Sequence, residues 1–189
     1  MNKKDLAKLI EDDPWMMKAL KIAASLNLPD WWLGAGFIRS KVWDYLHGYK
    51  KRTPLPDLDF IYFDTKDFSK KEASKFSTKA EEHYQKILNK KMPEAAWSVT
   101  NQARMHLFHR HKPYRNSSEA LSFWVETATC IGAKLSAKGK VVLTAPRGMR
   151  DLVNLIVRPI PEHQNNRSLL KKRIKEKKWL TKWPKLKVV

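Results

Sequence analysis

The order of its segments predicts an α/β (α+β) chain, in which short strand-type runs alternate with helix-spaced stretches. Three observations carry that reading. Trp31 to Leu33 is a short apolar run that enters a glycine turn, Gly34-Ala35-Gly36. A helix-length stretch follows, with Val42, Trp43 and Leu46 on one face. Then Asp57-Leu58-Asp59 leads into Phe60-Ile61-Tyr62-Phe63, an apolar run of strand type. At 189 residues the chain fits a single domain with an ordinary core.

Taken in order, the N-terminus opens on an amphipathic pattern. Asp13 and Pro14 read as N-cap and first position of a helix that Asn27-Leu28-Pro29-Asp30 ends. The helix after the glycine turn runs over 38–49 and stops near Gly48. Residues 49–56, with three basic residues and two prolines, read as a mobile positive loop. Residues 67–90 are charged and helix-rich, consistent with one long surface helix. Trp97 to Asn101 alternates as a third strand, and 102–110 returns to helical character. Ser117-Ser118-Glu119 caps a helix carrying Ala120, Leu121, Trp124 and Val125. Val141 to Thr144 is a strand ended by Ala145-Pro146-Arg147-Gly148, and 151–157 is a short helix.

The formal charge of +19 makes polyanions the natural partners. It is unevenly spread, since the last 28 residues hold ten Lys or Arg against two Glu. This marks residues 162–189 as a basic C-terminal extension to a domain over 1–161. No apolar stretch is long enough to span a membrane, and the N-terminus lacks a signal-peptide core, so the expected location is cytoplasmic. Cys130 is the only cysteine and is expected to be a small buried apolar residue.

Asp57 and Asp59 carry the chemistry. Strand side chains alternate between faces, so the two carboxylates share one face with Cα atoms about 6.6 Å apart. Such a pair suits a hard cation such as Mg²⁺ (or Mn²⁺), which takes one or two carboxylates together with water and phosphate oxygens. At Gly34 and Gly36 the absence of a Cβ lets backbone approach a ligand closely, and the following helix aims its N–H groups at an anion. Arg39 has the planar fork to clamp phosphate, assisted by Ser40 or Lys41, or else it pairs with a carboxylate such as Asp44. His106, His109 and His111 form a His-x-x-His-x-His run. On a helix the third imidazole points away, so surface histidines are the better reading than a zinc site.

The stretch Gly36-Phe37-Ile38-Arg39-Ser40 with Asp57-Leu58-Asp59 resembles the nucleotidyltransferase superfamily that includes DNA polymerase beta and the CCA-adding enzymes. A small bacterial nucleotidyltransferase-like family is closer. Asn101-Gln102-Ala103-Arg104-Met105-His106, Trp124-Val125-Glu126-Thr127-Ala128-Thr129 and Ala145-Pro146-Arg147-Gly148-Met149-Arg150-Asp151-Leu152 are similar to it as well. The resemblance implies the nucleotidyltransferase fold, a mixed β-sheet flanked by helices. It also implies an enzyme in which Asp57 and Asp59 hold the metal while an acceptor hydroxyl attacks the α-phosphorus of a nucleoside triphosphate and releases pyrophosphate. The Gly34 to Gly36 turn would seat the outer phosphates.

The chain also departs from the superfamily pattern. Ala35 replaces the first glycine, and Ser40 replaces an acid. The third strand offers Asn101 where the superfamily has its third carboxylate, so either Glu126 or Asp151 folds back to complete the site or activation of the acceptor is left to substrate and metal. No templating motif or further domains for CCA addition follow. Asn101 and Arg104 would either meet base and ribose at the cleft edge or form a structural pair. The tail, with Leu170 and Ile174 on one face and Trp179 and Trp183 on another, reads either as an RNA-gripping arm or as a helix packed on the domain. The alternative function is therefore a catalytically degenerate fold that binds RNA or a protein partner.

Overall fold

A computed structural model describes residues 1–69, 71–109 and 111–189. Helix α1 (Lys3–Glu11) opens on a capping box between Asn2 and Asp5 and buries Leu6 and Ile10. Asp13 caps α2 (Pro14–Ala24) as its sequence predicts, accepting from the backbone N–H groups of Trp15 and Met16. Strand β1 (Trp32–Gly34) enters α3 (Gly36–His47), which ends where Gly48 adopts φ 72°. Strand β2 (Leu58–Tyr62), α4 (Lys79–Lys91) and β3 (Trp97–Asn101) form a parallel crossover unit. After a 3-10 turn at Gln102–Arg104 come the short helices α5 (His106–His109) and α6 (Ser117–Leu121). Strands β4 (Gly132–Leu135) and β5 (Val141–Thr144) pair as a hairpin. The chain finishes with α7 (Arg150–Val153), β6 (Ile156–Val157), α8 (Arg167–Glu176), α9 (Trp179–Lys182) and β7 (Lys187–Val188).

The five-stranded mixed sheet has the order β3-β2-β1-β4-β5, with β2 and β3 parallel and the other neighbours antiparallel. One face carries the main core. Leu33, Leu58, Phe60, Tyr62, Trp97, Val99 and Ala133 meet the buried sides of α1, α2 and α3 there. Trp32, Ile61 and Leu121 form a second small cluster with Trp124. In β2 the even-numbered residues thus serve the core, and the odd-numbered ones face the other way.

Several expectations are corrected. The helix expected over 67–90 begins only at Lys79, because Thr78 and Glu81 make a buried capping box that fixes the start; Lys70, within that stretch, lies outside the described residues. The helix expected over 151–157 stops at Val153, and Ile156–Val157 pairs instead with Lys187–Val188. Helical character after Asn101 is divided between the 3-10 turn and α5; Arg110, the expected end, lies outside the described residues. The 49–56 loop is tied down: Arg52 bonds Asp13 at 2.7 Å and lies over Trp15, and Thr53 bonds Asp44. Strand β4 has no counterpart in the sequence reading.

Residues 162–189 fold onto the rest of the chain. Leu170, Ile174, Trp179, Trp183 and Leu186 belong to the main core, and Trp43 packs edge-on against both Trp179 and Trp183 at 5.4 and 5.1 Å between ring centroids. Trp183 Nε1 donates to Asp44 at 2.7 Å. These two indoles are 1% and 2% exposed, so they cannot stack on RNA bases. Among the described residues, no helix is long and apolar enough to cross a membrane.

Candidate active site

The odd-numbered face of β2 opens into a cleft of about 480 Å³ lined by Asp57, Asp59 and Ile61. Its opposite sides come from three places in the chain. Gln102, Met105 and His109 follow β3; Tyr114, Phe123 and Trp124 surround α6; and His163, Leu169, Arg173 and Lys177 belong to the C-terminal segment. One end is therefore acidic and basic, the other aromatic and apolar.

Among the described residues, neither Asp57 nor Asp59 makes a side-chain hydrogen bond or ion pair, although the chain carries 38 Lys and Arg. Burial, reinforced by the charge of Asp57, pushes the Asp59 carboxyl up to about 6; Lys177, Arg39 and Arg173 act in the opposite sense. The two carboxylates present hard oxygen donors without protein partners, which fits a hard divalent cation. Among the described residues, no group of three or more His, Cys, Asp or Glu side chains is gathered for a metal. Any cation held by this pair would complete its shell with water or substrate oxygens.

The glycine turn borders the aspartates, since the β1–β2 register, with Leu33 opposite Phe60, carries on to put Gly34 beside Asp59. A Cβ on Gly34 would meet the Trp124 ring at 3.2 Å, so this glycine lets an indole pack against the backbone. Gly36 opens α3, whose cap residue Ala35 stands at φ 41° and supplies no side-chain cap. Arg39 is 6% exposed, rests over Trp43 and Trp179, and leaves its Nε without a partner. It has no ion pair with Asp44, whose oxygens bond Thr53 and Trp183. Burial brings the Arg39 guanidinium down to about 10, while Glu126, Asp59 and Asp57 favour its charge. Ser40 is buried in α3, and Lys41 is paired with Asp13 at 2.8 Å.

Asn101 and Arg104 have structural duties. In the parallel register Asn101 lies beside Tyr62, on the core face, one step out of phase with the aspartates. Its amide bonds the backbone of Asp64 and Ala103. Arg104, 1% exposed, forms a fork with Glu81 at 2.6 and 3.0 Å and donates to the carbonyls of Lys75 and Phe76.

Neither expected third carboxylate is free. Glu126 is fully buried and accepts from Arg173 Nε at 2.5 Å and Nη2 at 3.3 Å, and from Thr129. Asp151 accepts from Thr127 at 2.7 Å and Arg158 at 3.0 Å, and it does not line the cleft. Cys130 is buried, and burial pushes its thiol up to about 12.

Arg173 and Lys177 are the functional candidates absent from the sequence reading. With Leu169 they repeat at i, i+4, a spacing that puts all three on one side of α8, adjacent to the core stripe of Leu170 and Ile174.

A family profile described as nucleotidyltransferase matches residues 21–188, and the chain belongs to that family. Among solved structures, a protein whose NMR structure reveals a CCA-adding enzyme head domain is 31% identical, with a TM-score of 0.81, over 100% of this chain and 96% of that one. A tRNA-processing enzyme complex is 15% identical, with a TM-score of 0.47, over 77% of this chain and 36% of that one. No match was found among curated proteins.

Proposed function

We propose that this nucleotidyltransferase-family protein transfers a nucleoside monophosphate from a nucleoside triphosphate to an acceptor hydroxyl, with Asp57 and Asp59 holding a divalent cation, Mg²⁺ or Mn²⁺. The observation that carries the reading is the unpaired aspartate pair, with Asp59 desolvated, lining a nucleotide-sized cleft. When bound, such a cation neutralises charge on the attacking and leaving oxygens of an in-line displacement.

The remaining work falls to the chain's own groups. The alternation of strand side chains presents the Asp57 and Asp59 carboxylates together to the cleft, where a metal–triphosphate complex can use them. Arg39, a buried cation whose charge Asp59 and Asp57 favour, offsets their repulsion. The aromatic end, with Tyr114 and Phe123 stacked at 5.4 Å, offers the apolar surface that a nucleobase requires. In the reaction the acceptor oxygen forms a bond to the α-phosphorus, the bond to the bridging oxygen of the β-phosphate breaks, pyrophosphate departs and the hydroxyl proton passes to water. An RNA acceptor is supported by the exposed Lys171, Lys172, Lys175 and Lys178 on and just beyond α8.

Calorimetric titration of ATP, CTP, GTP and UTP with Mg²⁺ tests the proposal. The intact protein is expected to bind at least one triphosphate only when Mg²⁺ is present, and the Asp57→Asn, Asp59→Asn double variant is expected to lose that binding. Binding unchanged by the double substitution would overturn the assignment and favour a degenerate fold that binds RNA.

A further inference from the structure

We propose that Arg173 and Lys177 of the C-terminal helix form the polyphosphate-binding half of the cleft, making residues 167–177 part of the nucleotide site. The inference rests on the nucleotide-transfer reading above and assigns the subsite for the triphosphate tail.

The glycine turn borders Asp59 through Gly34, with the Trp124 ring against it, whereas the cleft's basic side chains come from the C-terminal segment. Among the described residues that line the cleft, Arg173 and Lys177 are the only Lys or Arg, and both influence Asp59 electrostatically. Lys177 makes no side-chain hydrogen bond or ion pair among the described residues. Arg173 is held from behind: Glu126 takes its Nε and Nη2, which fixes the guanidinium plane and leaves Nη1 uncommitted. Glu126 thereby acts as a positioning residue for the fork.

Charge selects the ligand class. A cleft lined by two aspartates and two cations is matched by a ligand that brings its own divalent cation to the carboxylates and excess negative charge to Arg173 and Lys177. A metal–triphosphate complex has both parts. A bare phosphodiester strand would bring only negative charge, and the aspartates would repel it.

The test pairs two titrations on the intact protein and on Lys177→Ala, Arg173→Lys and the surface control Lys175→Ala, with folding checked by circular dichroism. In the first, the triphosphate that binds best is added with Mg²⁺. Lys177→Ala and Arg173→Lys are each expected to weaken binding about tenfold, the loss of one charge-assisted contact, while Lys175→Ala leaves it unchanged. In the second, Mn²⁺ alone is added. Here Lys177→Ala is expected to bind as well as or better than the intact protein, because a cation near Asp59 has been removed.

Opposite signs in the two titrations support the subsite; weakening of both would reassign Lys177 to structure. Triphosphate binding that vanishes in the aspartate double variant yet persists in Lys177→Ala and Arg173→Lys would overturn this inference alone. Loss of affinity for a single-stranded RNA 20-mer with triphosphate binding intact would give α8 to RNA and overturn it equally. No metal-dependent triphosphate binding by the intact protein would remove the underlying function and the subsite together.

Discussion

Asp59 pays for its position in stability. Its folded carboxyl titrates near 6 against an unfolded value near 3.8, so the folded state holds the proton more tightly. A raised carboxylate pKa leaves stability undiminished below the unfolded value and erodes it as pH rises through about 6. Asp59→Asn is therefore expected to stabilise the fold at pH 7 by up to about 3 kcal/mol, at ~1.36 kcal/mol per pKa unit, with the gain vanishing near pH 4. Denaturant unfolding at the two pH values checks this; an equal gain at both would mean that desolvation of the charge is not the cause. The pairing of Asp57 with Asp59 was legible in the sequence because strand periodicity alone dictates it. The choice between a cleft role and a structural role for Asn101 was not legible, because it depends on the strand register, which puts Asn101 beside Tyr62 on the core face.

At the scale of elements, local signals were readable where a cap or turn fixes a boundary. Asp13 with Pro14, Gly48, and the run from Leu58 to Tyr62 all lie where their chemistry demands. Charged composition misled where it stood in for periodicity. Residues before Thr78 carry helix-forming side chains, yet Glu81 is drawn into a buried network with Thr78, Arg104 and the Asn101 backbone. That network joins α4 to the end of β3. Arg104→Ala should leave Glu81 buried without its counter-ion, costing about 3–5 kcal/mol. A shift in the denaturant midpoint measures it, and a loss below about 1 kcal/mol would show that water reaches Glu81. Strand β4 escaped notice because Gly132 and Lys134 interrupt its pattern. Its place in the sheet depends on β1 and β5 beside it.

The whole molecule is organised around a C-terminal segment that closes both core and cleft. Its composition left two readings open, an RNA-gripping arm or a helix packed on the domain, and the packed one is what the structure shows. The tryptophans of the segment complete a cluster with Trp43, and Arg39 is sandwiched there. Composition could not reveal this, since burial of Trp179 and Trp183 depends on residues more than a hundred positions earlier in the chain. Removing residues 162–189 is expected to expose Trp43 and abolish cooperative thermal unfolding, detectable by calorimetry. A sharp transition in the shortened chain would mean that the segment is an appendage. Such a result would also detach Arg173 and Lys177 from any necessary role in shaping the cleft.

The central claim is that Asp57 and Asp59 hold a divalent cation against a triphosphate, and electron paramagnetic resonance of Mn²⁺ tests it most directly. Mn²⁺ titrated with the best-binding triphosphate should give a protein-bound signal at pH 7.5 that fades as the pH falls through about 6, where Asp59 protonates. The signal should be absent from the Asp57→Asn, Asp59→Asn variant. A bound signal of equal strength in that variant would contradict the account.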